Sequence, residues 1–211
     1  MKIALINGSP KKKRSSSATL LHMFKELIAS QHEIAEYHFH SPTLTDQELD
    51  QVSSCDILVF AFPLYVDGIP SHLLNCLSQM ELFFKTKVQK EMDVYALMNC
   101  GFYEARQNSI ALEMMKNWSI KSGLKWIRGI GIGGGGAIPM TLDNSGEKSI
   151  MKETYKAMSE LAQKVEVGEQ GENLFVNPSI PRIAYKLGGE MGWRKAIKRR
   201  GLKRKDLDAR K

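Results

Sequence analysis

Lys2-Ile3-Ala4-Leu5-Ile6 runs directly into Asn7-Gly8-Ser9-Pro10 and then, past four cationic residues, into Ser15-Ser16-Ser17. A short apolar run closed by Asn, Gly and Pro reads as a buried strand meeting a tight turn, and the serines stand where a helix N-cap belongs. From Ala18 to Ala29, Leu20, Leu21, Phe24, Leu27 and Ile28 recur on one helical face. This order puts a helix N-terminus at the end of a strand. Unpaired N–H groups and partial positive charge there, with serine hydroxyls and Lys11, Lys12, Lys13 and Arg14 alongside, make an anion site. The loop has neither Gly-x-Gly-x-x-Gly nor Gly-Lys-Ser/Thr, so the dinucleotide and P-loop grips are not supported. A cradle of serines and backbone suits a terminal phosphate monoester. The same residues would also serve an ordinary capped helix after a surface turn.

The scheme repeats along the chain. His32 to Phe39 alternates as a second strand, and Asp46 to Ser54 reads as a short helix. Asp56 to Phe62 is an unbroken apolar run, expected at the centre of a sheet covered on both faces. It stops at Pro63-Leu64-Tyr65-Val66-Asp67-Gly68-Ile69-Pro70, after which Leu73, Leu77, Met80 and Phe84 keep helical spacing. Strand Asp93 to Asn99, turn Cys100 to Tyr103 and helix Glu104 to Lys121 form a third unit; strand Lys125 to Ile130, the glycine run to Gly136 and helix Lys148 to Val165 form a fourth. Five strands alternating with helices imply a parallel sheet with helices on both faces and right-handed crossovers. Ligands of such sheets lie outside the carboxyl ends of the strands, where the winding reverses. Three loops meet that condition, 8–17, 63–68 and 99–102. The first offers donors for a phosphate, and the others offer apolar side chains and amides for a flat ring.

With 211 residues, 43% of them hydrophobic, one packed domain is the default, expected over 1–178 with 179–211 as a basic extension rather than a domain of its own. The net charge of +7 is uneven: Arg182 to Lys211 holds twelve Lys or Arg against three acidic residues, leaving 18 basic and 20 acidic residues in 1–181. The body's charge therefore gives no reason to expect nucleic acid as a partner. No apolar run approaches the roughly 20 residues that span a bilayer, and no secretory signal is read at the start. Cys55, Cys76 and Cys100 are odd in number and widely spaced, and the histidines are scattered, so neither disulfides nor a metal set is expected and the cytoplasm fits best.

Gly8-Ser9-Pro10 with Ser15-Ser16-Ser17, Phe62-Pro63-Leu64-Tyr65-Val66-Asp67-Gly68-Ile69-Pro70, and Asn99-Cys100-Gly101-Phe102-Tyr103-Glu104 together resemble the NAD(P)H-dependent FMN reductase family of flavodoxin-like proteins. The resemblance covers about residues 1 to 165. It implies an α/β doubly wound, five-stranded parallel sheet of order 2-1-3-4-5. It also implies that Ser9, Ser15, Ser16 and Ser17 hold the FMN phosphate, that Pro63, Leu64, Tyr65 and Val66 line the isoalloxazine, and that Asn99, Gly101 and Phe102 meet its other side. The Thr-rich phosphate loop of true flavodoxins and the compact cysteine cluster of iron–sulfur flavoproteins are absent.

The implied activity is transfer of hydride from NADPH or NADH through the flavin to a small acceptor, a quinone, a nitro or azo compound or free flavin, in a homodimer. An electron carrier with a protein redox partner and a flavin-binding interaction module are the alternatives. Duller readings stand beside the site. Tyr65 serves equally as a rim aromatic, Cys100 as a small core residue, and the glycine run as a loop of unusual dihedrals. For the tail, three readings stay open: a strap on the body or a partner subunit, which the resemblance favours; a solvated basic face; and attachment to anionic lipid or nucleic acid. Gly188, Gly189, Gly192 and Gly201 are expected to weaken any single helix there.

Overall fold

The computed structural model describes residues 1–12, 14–87, 90–138, 150–203 and 206. Lys13 of the cationic run, the first two positions of the helix expected from Lys148, and most of the last eight residues of the tail lie outside these.

The chain alternates β1 (Lys2–Asn7), α1 (Ser16–Ile28), β2 (Glu33–His38), α2 (Asp46–Ser53), β3 (Ile57–Pro63), α3 (Ser71–Lys87), β4 (Asp93–Asn99), α4 (Ser109–Lys121), β5 (Lys125–Ile132), α5 (Lys152–Gln163), β6 (Leu174–Val176) and α6 (Arg182–Arg199). The sheet is parallel throughout, in the order β2-β1-β3-β4-β5-β6. This is the flavodoxin-like arrangement with one strand more than the five expected. β6 spans three half-buried residues at the sheet edge, too short for a period-2 pattern to register. The fourth helix also begins later than Glu104, because Ala105–Asn108 forms a 3₁₀ turn first.

Side-chain alternation along the central strands divides the interior into two layers. Leu58, Phe60 and Phe62 of β3 face α2, α3 and α4, packing with Leu73, Leu77, Met80, Met115 and Trp118. Ile57, Val59 and Ala61 face α1 and α5, packing with Leu20, Phe24, Ile28, Met158 and Leu161. Trp118 lies edge-on to Phe60, with centroids 5.5 Å apart, and its indole N–H donates to the Leu77 carbonyl at 2.8 Å. Because α1 covers one face and α2 to α4 the other, the winding reverses between β1 and β3, and the loops leaving those strands diverge.

Local signals account for the starts of the helices that matter. Ser15 is extended, and its hydroxyl accepts from the Ala18 N–H at 3.1 Å, capping α1. Thr45 and Glu48 form a reciprocal capping box on α2. The tail departs from expectation: α6 runs unbroken through Gly188, Gly189 and Gly192, with none of its residues buried.

Candidate functional site

At the reversal of winding, the loops after β1, β3, β4 and β5 enclose a hollow of about 160 Å³. It is lined by Ser9, Lys11, Ser15, Ser16, Ser17, Pro63, Leu64, Tyr65, Asn99, Gly101, Gly135 and Gly136. Nine of the eleven residues expected from the sequence thus meet in one place. The other two flank it: Val66 is 102% exposed and Phe102 54%, both outside the lining. Lys11 joins from the cationic run. Gly135 and Gly136 of the glycine run, read from the sequence as a loop of unusual dihedrals, also line the hollow. A larger groove of about 500 Å³ lies between α5 and β6, bordered by Glu153, Lys156 and Glu160, on the open side of the sheet and away from the reversal.

The loop after β1 is held down at both ends. The Gly8 N–H donates to the Ala61 carbonyl at 2.8 Å, the Ser9 N–H to Asn7 Oδ1 at 3.0 Å, and the Lys11 N–H to Ser9 Oγ at 3.3 Å. Asn99 joins the loops from the far side: Nδ2 donates to Ser17 Oγ at 3.1 Å and to the Phe62 carbonyl at 3.2 Å. Ser16 Oγ donates to the Gly135 carbonyl at 2.6 Å, closing the hollow across 119 residues of sequence. Ser9, Ser15 and Ser17 are each used as acceptors in these contacts, so their hydroxyl hydrogens stay available to an anion.

The glycine run folds tightly onto the loop after β4. The Gly134 and Gly135 N–H groups donate to the Phe102 and Cys100 carbonyls, both at 2.6 Å. A Cβ at Gly133 would lie 2.2 Å from the Tyr103 carbonyl oxygen, and Gly134 has φ +70, so neither position accepts a side chain. Cβ atoms at Gly101 or Gly136 would meet nothing within 4 Å, which leaves open space at the mouth.

Pro63 to Gly68 supplies the other wall. The Tyr65 and Gly68 N–H groups donate to each other's carbonyls at 3.1 Å, and Val66 and Asp67 between them have φ of 50 and 56. Two positive φ values in succession make a primed turn, normally built from Asn or Gly; a β-branched Val there is strained backbone at the rim. The amides of Gly68 and Cys100 are occupied, the latter by the Ile132 carbonyl, whereas those of Val66, Asp67 and Gly101 make no hydrogen bond among the described residues. Cys100 lies beneath the loop, buried, with its thiol pushed up by burial and Sγ accepting from Asn108 Nδ2 at 3.4 Å; it is held as a neutral core thiol.

The donor set decides what the hollow can hold. The hydroxyls of Ser9, Ser15 and Ser17, the Lys11 side chain and the N-terminus of α1 converge, and no carboxylate among the described residues lines the space. This chemistry accepts a phosphate monoester. Pro63, Leu64 and Tyr65 give the same hollow an apolar wall at its mouth. Among the described residues, no group of three or more His, Cys, Asp or Glu could hold a metal ion.

A family model described as flavodoxin-like fold matches residues 1–75, a stretch carrying the serine loop and the Pro63 to Gly68 turn. No curated protein sequence matches. Among solved structures, the chain is similar to the NAD(P)H:quinone oxidoreductase from Methanothermobacter marburgensis, at 16% identity and a TM-score of 0.59 over 79% of this chain and 96% of that one. It is similar to the NADPH-quinone reductase from P. pentosaceus at 12% identity and a TM-score of 0.54, covering 78% and 97%. It is similar to the Trp repressor binding protein from Bacillus subtilis at 17% identity and a TM-score of 0.56, covering 75% and 96%. At such identities the likeness is one of fold, and the protein has the flavodoxin-like fold.

Proposed function

We propose that the hollow binds flavin mononucleotide and that the protein is an NAD(P)H-dependent FMN reductase, passing hydride from NADPH or NADH through the flavin to a small acceptor such as a quinone, a nitro or azo compound or free flavin. The observation that carries this reading is the convergence of phosphate donors, with no carboxylate among the described lining residues, at the reversal of winding and next to an apolar mouth. Bound there, the flavin would supply the hydride chemistry itself. Ser9, Ser15, Ser17 and Lys11 would neutralise and orient the phosphate. Pro63, Leu64 and Tyr65 would fix the ring plane and keep water from one side, and the amides of Val66, Asp67 and Gly101, without a hydrogen bond among the described residues, would be donors to negative charge building up on the ring. The fold's likeness to quinone reductases is in keeping with this.

No helix among the described residues is long and apolar enough to cross a membrane. All three cysteines are free and buried, in keeping with the reducing cytoplasm that we assign.

The test is the visible spectrum of purified protein incubated with FMN, followed by anaerobic mixing with NADPH or NADH. A retained yellow chromophore that bleaches rapidly supports the reading. Protein that stays colourless refutes it, and bleaching only by a protein reductase makes the chain an electron carrier.

A further inference from the structure

The carbonyls of Asn99, Cys100, Gly101 and Phe102 are all taken. Asn99 accepts from the Leu64 N–H at 2.8 Å, and Cys100 and Phe102 accept from the Gly135 and Gly134 N–H groups, both at 2.6 Å. These donors are backbone groups of the loops that enclose the hollow. The Gly101 carbonyl instead accepts from a side chain outside those loops, Tyr185 Oη in the first turn of α6, at 2.8 Å. A Cβ built at Gly101 would meet nothing within 4 Å, so packing does not fix its peptide and glycine leaves it free to rotate. The Tyr185 hydroxyl is what holds it.

Tyr185 is itself fastened. Its ring packs on Tyr103 with centroids 5.8 Å apart, and a Cβ at Gly134 would lie 3.4 Å from its Cε2. Tyr103 Oη donates to the Ile180 carbonyl at 2.9 Å, and Arg182 pairs with Glu104 at 3.0 Å, so the entry to α6 is tied to the loop after β4. Burial pushes the Tyr185 phenol above its ordinary value, and it stays a donor at neutral pH. With Tyr185 beside Gly134, the donors to Cys100, Gly101 and Phe102 all come from one side, that of the glycine run and α6. Across a planar trans peptide the N–H points opposite to the preceding C=O. The N–H groups of Gly101 and Phe102 are thereby turned to the other side, and neither makes a hydrogen bond among the described residues. Two successive N–H groups left free in a turn are a concave donor pair for negative charge.

We propose that Tyr185 is a positioning residue of the hollow, which Gly101 lines: its hydroxyl orients the Gly101–Phe102 peptide so that the Phe102 N–H joins the Gly101 N–H as a donor pair for the negative charge that the flavin ring gains with hydride. This rests on the reading of the hollow as a flavin site. It gives Phe102 a part through its backbone, since its side chain lies outside the lining. It also gives the first turn of the basic extension a role in the chemistry of the site. A hydrogen bond to a charged acceptor is stronger than one to a neutral acceptor by about tenfold as an equilibrium constant, so the pair favours the reduced ring and raises the flavin's reduction potential. Tenfold is about 30 mV for a two-electron couple.

The test uses the full chain loaded with FMN and, separately, with riboflavin, each potential being read by equilibration with a reference dye. Tyr185→Phe keeps the ring and removes the hydroxyl, and it is expected to lower the potential by about 30 mV with both flavins, because the phosphate grip is not involved. Arg182→Gln loosens the same turn without removing the hydroxyl, and it is expected to leave the potential at the wild-type value. A second readout needs no flavin: in the flavin-free chain, Tyr185→Phe should move the carbonyl ¹³C resonance of Gly101 and the amide ¹⁵N resonance of Phe102. Circular dichroism melts establish that both variants are folded. Unmoved resonances, a wild-type potential in Tyr185→Phe, or an equal drop in Arg182→Gln overturns the proposal, the last because docking of the helix and not the hydroxyl would then set the potential. Wild type that binds neither flavin overturns it together with the reading of the hollow. Failure of Tyr185 alone is distinct, since wild type then holds flavin and only the comparison with its variants fails.

Discussion

In Ser15→Asp the capping oxygen at the start of α1 is kept, while a full negative charge is added where the flavin phosphate would sit. Ser15 is buried, and its hydroxyl accepts from the Ala18 N–H at 3.1 Å, so a role in the cap and a role in binding are superimposed in the wild type. Aspartate caps a helix as well as serine does and is favoured by the positive end of the dipole, so the melting temperature should be unchanged or slightly raised. Binding should behave in the opposite way. A phosphate seated among Ser9, Ser17 and Lys11 would lie about 4 Å from the new carboxylate, which at an effective dielectric of about 20 costs about 4 kcal/mol per unit charge. That corresponds to roughly a thousandfold loss of FMN affinity. Riboflavin, which has no phosphate, should bind Ser15→Asp and wild type alike. Ser15→Ala supplies the contrast: about 1 kcal/mol of stability lost with the cap, and about ten- to hundredfold weaker FMN binding from one missing hydrogen bond to an anion. The assay is titration of flavin fluorescence with FMN and with riboflavin, alongside thermal melts. Ser15→Asp that binds FMN as tightly as wild type, or that loses riboflavin to the same degree, would refute the placing of the phosphate at this helix end.

Val66→Gly should raise stability by about 1 kcal/mol, since it removes a β-branched side chain from a φ of 50; a lower midpoint in urea would show that the turn is not strained. Gly133→Ala should destabilise by several kcal/mol and weaken flavin binding, because its Cβ would lie 2.2 Å from the Tyr103 carbonyl oxygen and push the glycine run off the hollow; a wild-type melt would refute that close approach. Asp56 accepts from Lys90 Nζ and from the Lys2 N–H, the latter at 2.7 Å, and the Lys90 bond is the first cause of a carboxyl held below its ordinary value. A group depressed in the folded state contributes stability above its unfolded value and loses that contribution as pH falls through the folded one. Wild type should therefore exceed Asp56→Asn by about 1 kcal/mol at pH 7, with the gap closing as pH drops below about 4; a gap independent of pH would refute the linkage.

Much of the fold was legible because its signals are local. The unbroken apolar run of β3, the capping serine before α1 and the proline before α3 each constrain a few neighbouring residues, and each stands where the pattern put it. β6 was not legible, because three half-buried residues derive their strand identity from hydrogen bonds to β5 and carry no periodicity of their own. The continuity of α6 was not legible either. Glycine lowers helix propensity without forbidding helix, and the tether at Tyr185 and Arg182 involves residues about 80 positions away.

The candidate site divides in the same way. Residue types alone set its chemistry: serines ahead of an amphipathic helix, and a proline-rich and a glycine-bearing turn, each after a strand. Which of them face one another was settled by the sheet. Asn99 reaches Ser17, and Ser16 reaches Gly135, only because parallel strands in the order β1-β3-β4-β5 bring their carboxyl ends to one edge. The same geometry turns Val66 and Phe102 outward, although their places in the sequence match those of residues that line the hollow. Local sequence determined the strands, caps and donors, since these depend on a few adjacent dihedrals and on side-chain type. Strand order and side-chain direction determined the hollow, since those arise only when distant segments share one sheet.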